Sequence, residues 1–188
     1  MLRKKSNIGL VILLAAISLS MGCEQTREAN KLVDEAIAIK KKNIEIDAQA
    51  VGLLNELMGS NMTNADDLDK YKTANKAKFD ELIGFHAQLE KNANEAAVKY
   101  EEVSKLKLNE KFKEYCGLLA QELRKSAEIY KMKGTFVKAF LAEKDTEKAD
   151  QQVVDFNKRN PEMVKEAEAL AAKAEQIVKD NPNVFESK

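Results

Sequence analysis

The stretch "FDELIGFHAQLEKNANEAAVKYEEV", residues 79 to 103, decides the fold. Along it Phe79, Leu82, His86, Leu89, Ala93, Ala96, Tyr100 and Val103 succeed one another at alternating steps of three and four. Such a repeat lines one side of a helix and is the packing seam of coiled coils and helical bundles. Further along, the same steps connect Phe112, Cys116, Leu119, Leu123, Ser126, Tyr130, Lys133, Val137 and Phe140. They recur through Ala149, Val153, Phe156, Asn160, Met163, Ala167, Leu170, Ala174 and Ile177.

Composition agrees with the seams. Glycine is sparse, at 7 of 188 residues, proline occurs only twice and tryptophan is absent, so long helices meet few breakers. No hairpin signal or strand-like alternation competes. Helices are predicted over about 26–58, 64–103, 109–142 and 146–180, each about 50–60 Å long at the α-helical rise. Thr63 or Asn64 can cap the second, with Asp66 and Asp67 in its first turn; Asn109 can cap the third, and Asp145 or Thr146 the fourth. Short connections make successive helices antiparallel. The predicted fold is all-α, an up-down-up-down four-helix bundle.

The first helix departs from the single-seam pattern. At about 100° per residue, Ile39, Ile46, Leu53 and Leu57 fall on one side, and Ile37, Ile44, Ala48 and Val51 on another. An apolar arc this wide predicts contact with more than two neighbours, or with a partner. Within it lie Lys40, Asn43 and Asp47, read as a polar layer that fixes register or, alternatively, as a ligand or proton site. In the fourth helix Pro161 follows Asn160, which predicts a kink, or a break with a fresh start, since proline removes one hydrogen bond of the ladder.

Candidate chemistry is thin. His86 is the only histidine, and it sits on a seam; Cys116 is the only thiol beside Cys23. A cysteine–histidine pair across the bundle would suit a nucleophilic enzyme, but a buried thiol and a satisfied core imidazole are the simpler expectation. A di-iron bundle needs two Glu-x-x-His motifs, which one histidine cannot supply. Haem could be ligated non-covalently by His86 and a methionine such as Met163, although Met132 and Met163 equally suit core filling. Glycine-rich phosphate loops are missing. The sequence therefore predicts no enzyme, no metal site and no cofactor.

The N-terminus gives an address. Arg3, Lys4 and Lys5 precede an uncharged apolar run from Ile8 to Leu19 and then small residues, the three-part plan of a secretory signal peptide. The run is shorter than the roughly 20 residues of a membrane-spanning helix. Gly22-Cys23 resembles the end of a bacterial lipobox, with Ser20 where that family usually has leucine. The resemblance, confined to the first 23 residues, implies cleavage after Gly22 and acylation of Cys23; ordinary cleavage after Ser20 is the alternative.

On that reading residues 1–22 are a lipoprotein signal and 23–188 one helical domain, folding without a disulfide, since Cys116 lies on an apolar seam away from Cys23. Removing the leader leaves 28 basic against 31 acidic side chains, which gives no electrostatic footprint for nucleic acid. The expectation is a cell-envelope protein held to a bacterial membrane by its lipid, acting on an envelope protein partner as a binding or scaffolding module. Glu24 after the anchor leans toward the outer membrane in a two-membrane organism. The alternative is a small-ligand or haem-binding bundle, which would have a cavity near His86 or the Lys40 layer.

Overall fold

The computed structural model describes residues 23–57 and 65–185. The leader, the cleavage point after Gly22 and the candidate caps Thr63 and Asn64 lie outside the described residues. The helices are α1 (Cys23–Leu57), α2 (Ala65–Ala74), α3 (Lys76–Lys105), α4 (Glu110–Ala142), α5 (Thr146–Asp180) and α6 (Pro182–Phe185). Four long helices run up, down, up and down, with no strand among the described residues. Ion pairs between residues rising along one helix and falling along the next record the antiparallel packing: Glu35–Lys99 at 2.7 Å and Glu56–Lys78 at 3.1 Å join α1 to α3. Glu101–Arg124 at 3.0 Å joins α3 to α4, and Lys125–Glu166 at 3.0 Å joins α4 to α5.

The helix expected over 64–103 is two helices. At Asn75 (φ −107°, ψ 11°) the backbone leaves helical geometry, and the Asn75 side-chain amide donates to Tyr71 O at 3.0 Å. A short side-chain amide that binds the backbone offers an alternative to the helical ladder, which is why the chain breaks where neither glycine nor proline signals it. Buried Lys72 then holds α2 against the far end of α4: its ammonium donates to Glu143 O and lies 4.7 Å from the centre of the Phe140 ring. Burial pulls the Lys72 pKa down, and Asp69 and Glu143 oppose that pull.

Asn109 and Asp145 cap their helices. Asn109 accepts from Lys111 N at 2.8 Å, and Asp145 accepts from Glu147 N at 3.0 Å and Lys148 N at 3.3 Å. Asp145→Ala leaves both amides of α5 without their acceptor and removes a negative charge from a helix N-terminus. The expected loss is about 1 kcal/mol, read as a lower urea midpoint at unchanged slope. Helix α5 continues through Pro161, and both Pro161 and Asn157, whose carbonyl loses its partner, are exposed on the solvent side.

Two apolar clusters hold the bundle, one toward each end. The first gathers Ala29 and Ala36 of α1, Ala96, Tyr100 and Val103 of α3, Phe112, Cys116 and Leu123 of α4, and Phe185 of α6. The second gathers Ala50, Leu57, Phe79, Leu82 and Val137. Every seam residue of α3 named above is buried. Burying a leucine as fully as Leu82 or Leu89 is worth about 1.5–3 kcal/mol. Close packing joins α1 to α3, α3 to α4 and α4 to α5, but α1 and α5 are not closely packed on each other. The square of helices is open along that edge.

Candidate functional site

Between the two clusters the interior turns polar, and helix geometry sorts the three polar residues of α1. Asn43 faces α3, where its Nδ2 donates to Leu89 O at 3.3 Å and its Oδ1 accepts from Asn92 Nδ2 at 2.8 Å. Both amides are buried, so their mutual pairing fixes the register of α1 on α3. Lys40 and Asp47, three before and four after, turn instead toward α4. The Lys40 ammonium reaches Glu122 Oε2 at 3.3 Å, and the Ser126 hydroxyl donates to Glu122 Oε1 at 3.1 Å. Glu122 therefore has a partner on each oxygen.

Asp47, Tyr130 and Lys133, with Glu122, Ser126 and Glu168, line a cavity of about 100 Å³ between α1, α4 and α5, walled on its apolar sides by Ile129, Val164, Ala167 and Ala171. Asp47 Oδ1 is buried there without a hydrogen-bond partner. The Lys133 ammonium lies over the Tyr130 ring, 5.5 Å from its centre. Burial raises the Tyr130 pKa, and the carboxylates of Asp47 and Glu122 add to the effect, so the phenol stays protonated at any physiological pH.

The lip of this opening is apolar. On the helical wheel Ile44 and Val51 stand about 20–60° beyond Lys40 and Asp47, on the edge of α1 turned to the unpaired seam. They are 47% and 46% exposed. The second side of the wide α1 arc is thus uncovered by the fold, where the sequence predicted a further neighbour or a partner.

His86 and Cys116 are not brought together. His86 packs where α4 carries Gly134, whose missing side chain would sit 3.4 Å from the His86 Cβ, about 27 Å of helix from Cys116 at 1.5 Å per residue. Burial, helped by Lys133, lowers the His86 pKa to about 4, and its Nδ1 is buried without a partner. Cys116 is a free, fully buried thiol whose pKa burial pushes up to about 12. Neither group is poised for nucleophilic chemistry. Met132 and Met163 share a separate groove of about 520 Å³ between α4 and α5, and His86 does not line it. Among the described residues no three His, Cys, Asp or Glu side chains are grouped to hold a metal ion.

Of the cavity's polar groups, Ser126, Tyr130 and Lys133 occupy three successive seam positions of α4, and that polar run in an apolar seam was a readable signal. Glu122 lies off the seam; it lines the cavity and is held there by Lys40 and Ser126. No protein-family model, curated protein or solved structure matches the chain.

Proposed function

We propose that this is a lipid-anchored binding protein of the bacterial cell envelope, non-catalytic, whose bundle holds a small ligand at the open α1/α5 seam. One observation carries the reading: a cavity between α1, α4 and α5 in which one Asp47 carboxylate oxygen is buried without a partner, with the Lys133 ammonium in the same lining and no ion pair between the two. A buried polar atom without a partner is costly, so a ligand or solvent must answer the Asp47 oxygen. The cavity adjoins the polar layer where the sequence allowed for a ligand site.

The anchor is the acylated Cys23. Helix α1 starts at Cys23, which would set the bundle on the membrane surface with no linker between lipid and domain. Acyl chains bind the bilayer with about 0.8 kcal/mol per buried methylene, and two or more give a lasting hold. No described helix is long and apolar enough to cross a membrane. With Glu24 next to the anchor, the periplasmic face of an outer membrane is the favoured address in a two-membrane organism. A scaffolding role toward an envelope protein finds support in a different feature, the half-exposed Ile44 and Val51 on the lip.

The test is to isolate the full-length protein from membranes and identify the small molecules released on denaturation. Wild type is expected to carry one compound in stoichiometric amount, and Ala167→Phe, which fills the cavity from its wall, is expected to lose it while remaining folded and membrane-bound. Recovery of the same compounds from both proteins, or of none from wild type, contradicts the ligand reading. Cys23→Ala should move the protein out of the membrane fraction; unchanged fractionation contradicts the anchor.

A further inference from the structure

Asp47 and Lys133 face one cavity with opposite charges, and what separates them defines what fits between. Glu122 pairs with Lys40 and accepts from Ser126, and Glu168 on the α5 side is exposed to solvent, which leaves Asp47, with Oδ1 buried and unpartnered, as the carboxylate in need of a donor. Lys133 does not supply that donor; its ammonium rests on the Tyr130 ring instead. The cavity thus has a negative side formed by Asp47 on α1 and Glu168 on α5, and a positive pole at Lys133 on α4. Its apolar flank is formed by Ile129, Ala167 and Ala171.

Size restricts the occupant further. A cavity of about 100 Å³ is smaller than the roughly 150 Å³ one that takes up benzene, so what it holds is limited to about six heavy atoms. An inorganic or organic anion would place its charge against Asp47, and a diamine would place one against Lys133. The geometry points to a small zwitterion, an α-amino acid with a hydrogen or methyl side chain, with its ammonium on Asp47 and its carboxylate on Lys133. The Tyr130 hydroxyl supplies a further hydrogen bond beside the carboxylate, and the methyl lies on the apolar flank. This inference rests on the small-ligand reading above and names the ligand's class.

Titration calorimetry of the full-length protein in detergent, freed of bound ligand by refolding, tests it with L-alanine, methylammonium chloride and sodium acetate as probes. L-alanine is expected to bind at one saturable site, and each half-ligand at least about thirtyfold more weakly, because truncating one partner of a buried charge pair costs 2 kcal/mol or more. Asp47→Asn and Lys133→Met are each expected to weaken L-alanine by a similar factor. Asp47→Asn should tighten acetate binding and Lys133→Met should tighten methylammonium binding, since each removes the like charge facing that probe, which also shows that both variants fold. Acetate or methylammonium binding as tightly as L-alanine overturns the zwitterion while leaving a ligand cavity in place. No saturable response to L-alanine overturns it too; if a different compound is recovered from wild type and lost in Ala167→Phe, the function proposed above survives without it.

Discussion

Phe112→Ala is expected to lower the unfolding free energy by about 3–5 kcal/mol, the range for removing a large aromatic side chain from a packed core. Phe112 is 1% exposed, and its ring centre lies 6.3 Å from Tyr115 and 6.0 Å from Phe185. Tyr115 and Phe185 meet edge to face at 5.2 Å, which completes a three-ring cluster joining α4 to α6. The cavity left by the truncation cannot collapse easily, because the rings around it are held from both helices. Urea unfolding followed by circular dichroism measures the loss. Val154→Ala is the control: at 58% exposure it should change stability by no more than about 0.5 kcal/mol. Equal effects from the two substitutions would contradict the placement of the core.

Acid is expected to remove about 3 kcal/mol of stability between about pH 6.5 and pH 4, through His86 alone. Burial, with Lys133 as the lesser cause, holds its folded pKa at about 4 against an ordinary value of 6.5. Between those values the unfolded chain binds a proton that the folded chain refuses, so stability rises with pH across that window. The contribution is fully present above pH 6.5 and is lost as pH falls toward 4. A shift of about 2.5 units corresponds to about 3 kcal/mol at 1.36 kcal/mol per unit. His86→Gln should flatten this limb of the stability–pH curve, leaving only carboxylate effects at lower pH. An unchanged slope in His86→Gln would show that another group titrates there.

Much of the architecture can be read in the sequence because the seams are regular. All eight α3 seam residues are buried, and the caps at Asn109 and Asp145 form the hydrogen bonds their side chains allow. The break at Asn75 escapes notice since its cause is local: one asparagine amide turns back onto Tyr71 O, with no glycine or proline to mark it. At Pro161 the helix continues rather than breaks, as a proline on an exposed face leaves its orphaned carbonyl to water.

The site was legible as a group and misread in its parts. Lys40, Asn43 and Asp47 share an arc of α1, but a wheel cannot tell which neighbour each meets. In the bundle Asn43 serves register with Asn92, whereas Lys40 and Asp47 turn to α4. The open α1/α5 seam is a property of the tertiary arrangement, and the periodicity of α5 gives no hint of it: Ala149, Ala167 and Ala174 are buried as a closed bundle would have them. What the wide apolar arc of α1 signalled was an uncovered edge, with Ile44 and Val51 half exposed.

The openness of that seam is tested most directly by thiol labelling of Ser126→Cys in the full-length protein, with each cysteine followed by peptide mass spectrometry. Cys116 is an internal reference, buried and with a pKa near 12, so that at pH 8 only about one molecule in ten thousand carries the reactive thiolate. A small methanethiosulfonate reagent is predicted to modify the cavity thiol at least about a hundredfold faster than Cys116, and added L-alanine to slow it. Modification no faster than that of Cys116 would mean that α1 and α5 close over the cavity in solution, and it would contradict the binding site on which the account depends.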